Sequence, residues 1–474
     1  MVTSERSRPG ARSEAAKEEK EATKRRRAGC AGGQGDMQAP CHGARLYAAR
    51  GEGKGKNAGN APGRPLSHRA QGAAQTTWPA GIRAPAQAGV ERRIGRRYGG
   101  GSGSGKGEND VSAGKTPYSD LPPQAFWRTG VAEPGIAGLR GLWSSRWALP
   151  EDARFATFGS CFAQHIGRAL TARGMNWLDA EPAPGRTPPD IARAFNYGIF
   201  SARTGNIYTA AQLLLLVRMA ADGDDPDLAE YWAEGARVAD SLRPAIEPSG
   251  FASAEEARLS RLSMVRAFRR AIAGADVFVF TLGLTEGWEN AATGQPYAMC
   301  PGTVAGSFDP ARHRFREYRF GEIRGAMEQA LDLMRRINPA LRLLLTVSPV
   351  PLTATASRRH VLVATTQSKA VLRAVAGEMA AADEGVDYFP SYEIIAGAPA
   401  AARFYEANLR SVTREGVDTV MGHFFAGLRL DAPAAHADDT LPQTASEAEA
   451  EARMAADDLV CEEQLLEAYA RGRT

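Results

Sequence analysis

The chain has 474 residues, a formal net charge of +4 and five cysteines. The cysteines are scattered, odd in number and without a Cys-x-x-Cys pair, which argues against a disulfide framework and a structural zinc site and favours the reducing cytoplasm. No stretch approaches the roughly 20 apolar residues of a membrane span, and the start lacks the apolar core of a secretory signal, so neither is expected.

Both ends of the chain differ in composition from its middle. Residues 1–116 form a basic head rich in Gly, Ala and Arg, with too little apolar surface to offset the entropy of ordering, and we expect it to be disordered. Its Lys/Arg runs are interspersed with Gly, Ala and Glu and lack an aromatic stacking platform, so no nucleic-acid partner is expected. The composition of residues 431–474 predicts an acidic, Ala-rich tail that is partly helical, from residue 445 to 470.

The middle of the chain, residues 117–430, predicts an α/β domain. It opens with an arm, residues 118–147, that we expect to lack regular structure. Apolar runs predict strands at 154–158, 276–281, 341–347 and 386–389, and helical spacing predicts helices at 162–170, 210–219, 251–273, 321–337, 361–382 and 416–428. Strands that are apolar on both faces indicate a parallel sheet with helices on both sides. In such sheets, ligands bind beyond the carboxyl ends of the strands.

The turn Gly159-Ser160-Cys161 follows the first strand and precedes the first helix. A nucleophile at this position gains from the backbone N–H groups and the positive end of the helix, which favour anionic character. Ser160 needs a base, whereas Cys161 would be partly thiolate without one. The structural alternative is that Ser160 caps the helix and Cys161 is simply buried.

The residues around this turn resemble the GSCFA family, a branch of the SGNH/GDSL hydrolases. The motif that names the family stands at Gly159 to Ala163, followed by Gln164-His165-Ile166-Gly167. Further segments agree in order: Tyr118-Ser119-Asp120-Leu121-Pro122-Pro123, Phe195-Asn196-Tyr197-Gly198, Thr281-Leu282-Gly283-Leu284-Thr285-Glu286, Thr346-Val347-Ser348-Pro349-Val350-Pro351, Ser368-Lys369-Ala370-Val371-Leu372-Arg373 and Arg403-Phe404-Tyr405. The resemblance covers residues 117–428 and implies a three-layer, flavodoxin-like α/β fold.

The resemblance also implies roles for residues at the strand ends. Ser160 matches the nucleophile by its place after the strand. Cys161 is its rival, because aligning the preceding glycine puts Cys161 in the column where GDSL enzymes carry serine. Gly198 resembles the glycine whose N–H points at a developing oxyanion, and Asn196 is a second candidate donor.

A third block of the SGNH pattern, Gly-x-Asn, has its counterpart after the second strand. Gly283 resembles its glycine, and Thr285 or Glu286 stands for its polar residue. Both glycines of the pattern could instead serve only as tight turns that need positive φ.

The sequence departs from SGNH hydrolases near the end of the domain. These enzymes carry Asp-x-x-His, in which His activates the serine and Asp orients the His. Here Asn408 and Ser411 stand where Asp and His are expected, and neither is a base near neutral pH.

Two histidines could replace the missing base. His360 follows the Ser348-Pro349 strand end, on the side where ligands bind, and is the favoured candidate. His165 lies four residues after Cys161 on the same side of the helix, although packing against the sheet is the more ordinary role for it. Glu286 and Glu406 are candidate acids. No spacing of His, Asp or Glu suggests a metal site, and no glycine-rich loop suggests a cofactor.

These residues favour an esterase or acyl-transfer enzyme that acts on a small-molecule or carbohydrate ester, with Ser160 as the nucleophile. The alternative is a non-catalytic carbohydrate- or acyl-binding domain on the same fold, because the Asp-x-x-His pair is missing. The sequence indicates neither the individual substrate nor the oligomeric state.

Overall fold

The computed structural model describes residues 116–223, residues 230–430 and Leu466. The disorder predicted for the head and the helix predicted in the tail concern residues outside this set, apart from Thr116 and Leu466. None of the helices within the described residues combines the length and the apolarity needed to cross a bilayer.

The elements are numbered here in chain order. The strands are β1 (Ala148–Leu149), β2 (Phe155–Gly159), β3 (Tyr231–Glu234), β4 (Arg237–Asp240), β5 (Val277–Leu282), β6 (Glu286–Asn290), β7 (Pro296–Tyr297), β8 (His313–Glu317), β9 (Arg342–Val347), β10 (Val386–Phe389) and β11 (Arg429–Leu430). The helices are α1 (Gly135–Gly138), α2 (Ala163–Ala172), α3 (Pro189–Ala194), α4 (Ala210–Asp222), α5 (Ala254–Gly274), α6 (Phe320–Ile337), α7 (Val361–Ala382), α8 (Ser391–Ala396) and α9 (Arg414–Gly427).

A four-stranded parallel sheet in the order β10-β9-β5-β2 forms the centre of the molecule. Its strands are the four that the apolar runs predict. Successive side chains point to opposite faces, so each face carries its own apolar set. The register places Gly159 opposite Thr281 and Thr281 opposite Thr346, so the carboxyl ends of the three strands lie side by side.

Helices cover both faces of this sheet. On one face, Phe158, Phe278 and Leu345 are fully buried in a core shared with α4, α5, α6 and α7. On the other face, Phe155 and Val279 are buried against α2, α8 and α9. The three-layer, flavodoxin-like α/β arrangement predicted from the sequence is therefore confirmed.

The outer edge of β2 is covered by irregular chain instead of a fifth strand. Leu178 donates a backbone hydrogen bond to the Phe155 carbonyl, and Ile207 donates one to the Gly159 carbonyl, both at 2.8 Å. These contacts satisfy backbone groups that an open edge would expose. They also bring residues 201–207 beside the end of β2.

The arm at residues 118–147 is more regular than predicted. It contains a 3₁₀ turn at Pro123–Ala125, a π-helical turn at Arg128–Ala132 and α1. Trp143 fixes the arm to the domain, because its ring stacks on Phe424 with centroids 5.8 Å apart. The prolines that suggested an extended arm instead begin short turns, since proline is tolerated in the first turn of a helix.

Two antiparallel pieces were not predicted. The hairpin β3-β4 precedes α5, and the three-stranded sheet β7-β6-β8 follows β5 directly. In that sheet, the Trp288 ring packs edge-on against Phe308 and Phe315.

A buried ion cluster joins β4 to α5. Asp240 accepts hydrogen bonds from Arg243 Nε at 2.8 Å and from Arg261 Nε at 3.1 Å, and all three side chains are fully buried. Burial alone would raise the pKa of Asp240, but the two guanidinium charges outweigh it and lower the pKa from 3.8 to about 2. The carboxylate therefore stabilises the fold above its unfolded pKa, and this stabilisation is lost as the pH falls from about 4 towards 2.

We expect Asp240→Asn to lower the free energy of unfolding by about 3–5 kcal/mol, because it removes the buried carboxylate charge that pairs with two buried guanidinium groups. Urea unfolding at pH 7 measures the loss. Glu328→Gln is the control: it breaks a largely exposed ion pair with Arg324 and should cost less than about 1 kcal/mol. Equal losses in the two variants would contradict the assigned role of the cluster.

Candidate functional site

The turn after β2 is fixed by one close backbone contact. Gly159 has φ +129°, and a Cβ at this position would lie 2.4 Å from the Thr281 carbonyl oxygen. Only glycine fits both the backbone conformation and the space. The next residue, Ser160, donates its N–H to the same Thr281 oxygen at 3.1 Å. Ser160 is thus held at the end of the sheet by the neighbouring strand β5.

Ser160 is buried, with 3% of its surface exposed, and its Oγ has no hydrogen-bond partner within the described part of the chain. A Cβ on Gly283 would lie 3.0 Å from Ser160 Cβ and 3.0 Å from the Tyr208 carbonyl oxygen. Because it has no side chain, Gly283 lets Ser160 and the Tyr208 backbone both approach it closely. Buried hydroxyl groups are almost always hydrogen-bonded, so an unpartnered one at a strand end calls for a functional explanation.

Cys161 has different surroundings from Ser160. It is also 3% exposed, and it packs in an apolar cluster with Val350 and Val412. Val350 belongs to the segment after β9, and Val412 precedes α9. Cys161 therefore lies beside the segment in which SGNH enzymes carry their Asp-x-x-His.

That segment forms a hydrogen-bonded turn. Asn408 Oδ1 accepts from the N–H groups of Arg410 and Ser411, both at 2.9 Å, and Asn408 Nδ2 donates to Ser411 Oγ at 3.0 Å. Asn408 is exposed, and its side chain is occupied in holding the turn. Neither residue supplies a proton acceptor for Ser160.

The two candidate histidines are not hydrogen-bonded to Ser160 Oγ. His360 is exposed and caps α7, where its Nδ1 accepts from the Leu362 N–H at 3.2 Å. His165 lies on α2 with its ring 5.3 Å from that of Phe162. Burial, assisted by the charge of Arg168, lowers the pKa of His165 to about 3, so its imidazole is neutral at physiological pH.

Asn196 and Gly198 both have positive φ and form a tight turn after α3. Asn196 donates from Nδ2 to the Ala245 carbonyl at 3.2 Å, and a Cβ on Gly198 would meet no heavy atom within 4 Å. The Asn196 side chain is therefore bonded to the segment at Ala245, and the Cβ position of Gly198 is not in contact with Ser160.

The structure instead brings residues 206–208 to the turn. Ile207 pairs with Gly159, Tyr208 approaches Gly283, and Asn206 Oδ1 accepts from Gln164 Nε2 at 3.4 Å. Residues 206–208 were not predicted to lie at the site. The signal for this segment was Gly205-Asn206 followed by Thr209, the N-cap of α4, since a Gly-Asn turn before a capped helix marks a strand-end loop.

Thr285 and Glu286 continue from Gly283 and are both buried. The Thr285 N–H donates to Ser368 Oγ at 3.1 Å. Glu286 accepts from Thr355 Oγ1 at 2.8 Å, and burial raises the pKa of its carboxyl group. Glu286 thus retains protons to higher pH than an exposed glutamate does.

An apolar cluster lies beside the site. Its members are Tyr208, Leu284, Met299, Leu352 and Ala364, and Leu466 of the tail packs against it. Tyr208 and Leu284 join the cluster to the site, because the Leu284 N–H donates to the Tyr208 carbonyl at 2.8 Å next to Gly283. Within residues 116–223 and 230–430, no group of three or more His, Cys, Asp or Glu side chains could hold a metal ion.

The comparisons with known proteins identify a family and a weak structural likeness. The model of the GSCFA family matches residues 154–424. A crystal structure of an acetyl esterase mutant with an acetate ion is similar at 12% sequence identity and a TM-score of 0.25, covering 57% of this chain and 93% of that one. This TM-score is too low to support any conclusion about function. No curated protein matches the chain.

We expect Gly159→Ala to lower the free energy of unfolding by about 2–4 kcal/mol, because the new Cβ would meet the Thr281 backbone. Chemical denaturation measures the loss. Gly174→Ala is the control, because Gly174 also has positive φ but open space around its Cβ position, and it should cost about 1 kcal/mol. A loss at Gly159 no larger than that at Gly174 would contradict the close contact.

We expect His165 to make the fold less stable in mild acid. Its pKa is about 3 when folded and near 6.5 when unfolded, so between these values the unfolded chain binds more protons and stability falls as the pH falls. Urea unfolding of the protein and of His165→Phe from pH 7 to pH 4.5 measures the difference. As the pH falls, the free energy of unfolding of the native chain should decrease by up to about 1.4 kcal/mol per pH unit more than that of the variant. Parallel pH profiles would show that His165 titrates normally.

Proposed function

Since the chain belongs to the GSCFA family, we propose that it is an SGNH-type hydrolase or acyl-transfer enzyme acting on a small-molecule or carbohydrate ester. The observation that carries the proposal is the buried Ser160 Oγ at the carboxyl end of the sheet, which has no hydrogen-bond partner among the described residues. Such an atom costs stability, so its presence at a strand end supports a functional role. The cytoplasm is the proposed location, on the strength of the cysteine pattern.

The reaction has two steps. Ser160 Oγ forms a bond to the acyl carbon, the ester C–O bond breaks, and the serine proton passes to the departing alkoxide. Water or a second alcohol then attacks the acyl-serine, releases the acid or the new ester, and returns a proton to Ser160. The absence of a side chain at Gly283 keeps its backbone close to Ser160, and the apolar cluster at Tyr208 and Leu284 suits the carbon part of an acyl group.

Among the described residues, no conventional base is hydrogen-bonded to Ser160 Oγ. His360 remains the proposed base through its Nε2, since its Nδ1 caps α7. Hydrogen bonds to a nucleophile often form only once substrate is bound, so the present geometry does not remove His360 from this role. If His360 bonds to Ser160 only after the substrate has bound, we expect slow turnover.

The Asn408–Ser411 turn favours a second candidate function, a non-catalytic carbohydrate- or acyl-binding domain. Its side chains bind each other and supply no base. In that case, Ser160 would donate a hydrogen bond to a bound ester without attacking it.

A fluorophosphonate probe distinguishes the two functions, because it labels only a serine that attacks. We expect the native protein to be labelled and to hydrolyse p-nitrophenyl acetate, and Ser160→Ala to abolish labelling and lower the rate at least about 100-fold. Cys161→Ala should keep both activities if Ser160 is the nucleophile.

Ser241→Ala is the matched control, because Ser241 Oγ is also buried without a partner in the described part of the chain but follows β4, away from the turn after β2. Its labelling should equal that of the native protein. If the probe does not label the native protein, the result supports the non-catalytic binding function. If Cys161→Ala loses activity and Ser160→Ala does not, Cys161 is the nucleophile.

A further inference from the structure

Ser368 and Lys369 are consecutive residues of α7 that the proposed reaction does not use. Both are 1% exposed. Ser368 Oγ accepts the Thr285 N–H at 3.1 Å, and Lys369 Nζ donates to the Gly283 carbonyl at 2.8 Å. Two adjacent side chains of one helix therefore hold the loop that contacts Ser160.

The Lys369 ammonium group lies close to the nucleophile. It is bonded to Gly283, and a Cβ on Gly283 would be 3.0 Å from Ser160 Cβ. Because Gly283 alone separates the two groups, Lys369 Nζ and Ser160 Cβ are no more than about 10 Å apart. The two groups are not in direct contact, because Ser160 Oγ has no hydrogen-bond partner in the part of the chain that the structure describes.

Lysine side chains are rarely fully buried. Removing an ammonium charge from water has a desolvation penalty that its partners must offset, and an apolar side chain of similar length would fill the same space on α7 without that penalty. The same low-polarity surroundings strengthen its attraction for any negative charge nearby. Negative charge develops next to Gly283 when a serine oxygen attacks a carbonyl, and fixed positive groups at such places lower the barrier.

We propose that Lys369 is a positioning residue of the Ser160 site. Its ammonium group fixes the Gly283 carbonyl and supplies the positive potential in which the serine oxygen and the acyl oxygen become negative. Ser368 holds the same loop through Thr285 and contributes no charge. This inference rests on the proposed acyl-transfer function, and it assigns Lys369 no proton transfer.

Variants at Lys369 separate its charge from its hydrogen bond. We expect Lys369→Met to lower kcat for p-nitrophenyl acetate about 10-fold or more and to leave KM within about 2-fold, since the charge acts on the transition state. Lys369→Gln keeps a donor without a charge and should also lose activity, whereas Lys369→Arg should recover part of it. Ser368→Ala should lower kcat less than Lys369→Met does.

Thermal unfolding of each variant excludes a purely structural role. A kcat in Lys369→Gln equal to that of the native protein would overturn the proposal, as would activity losses that follow only the loss of stability across the series. If Lys369→Met does not fold, Lys369→Gln and Lys369→Arg give the same comparison.

A second readout does not require catalysis. In Ser160→Cys with Cys161→Ala, the thiol at position 160 reports the local potential through its rate of alkylation by iodoacetamide, because the thiolate is the reactive form. Adding Lys369→Met should slow this alkylation at least about 5-fold. Alkylation of Cys300, whose pKa burial raises to about 11, is the internal reference and should not change.

The two readouts separate the two proposals. Slower alkylation in a protein that hydrolyses no ester would support the role of Lys369 and reject the acyl-transfer function. Unchanged alkylation together with an unchanged kcat would reject the proposed role of Lys369 but not the proposed acyl-transfer function.

Discussion

The site depends on one backbone contact, the approach of Gly159 to Thr281 where β2 meets β5. No side chain fits between them, because a Cβ would lie 2.4 Å from the Thr281 oxygen. The contact lets the Ser160 N–H join the same oxygen, so the position of the serine is set by strand pairing. Gly283 lies two residues beyond Thr281, and its distance from Ser160 is fixed by the same pairing. A catalytic group held by rigid elements keeps its geometry better than one on a loop.

The two residues after Gly159 face different chemical surroundings. Ser160 lies beside the Gly283 backbone, whereas Cys161 lies against Val350 and Val412. A hydroxyl group at a strand end can be activated by neighbouring charge. A buried cysteine that packs among apolar side chains is usually structural. The surroundings therefore support the serine over the cysteine, although the GDSL alignment by glycine favours the cysteine.

The sequence predicts the central sheet because its strands are uninterrupted apolar runs buried on both faces. The sheet β7-β6-β8 was missed because its strands carry charged residues that pair across it, such as Glu289 with Arg314, and show no such run. The site was partly predictable for the same reason. Gly283 directly follows an apolar strand, whereas the approach of residues 206–208 to β2 depends on tertiary contacts that local patterns do not encode.

The turn at Asn408 and Ser411 lies where the resemblance to SGNH hydrolases predicts a base. The asparagine accepts hydrogen bonds from two backbone N–H groups, as an aspartate could, so the turn does not require a carboxylate. Val412, the next residue, packs against Cys161. The turn supplies no base, whereas the strand-end geometry and the contact of Lys369 with Gly283 do not depend on it. Under the proposed acyl-transfer function, stabilisation of developing charge and activation of the nucleophile would therefore come from separate parts of this fold.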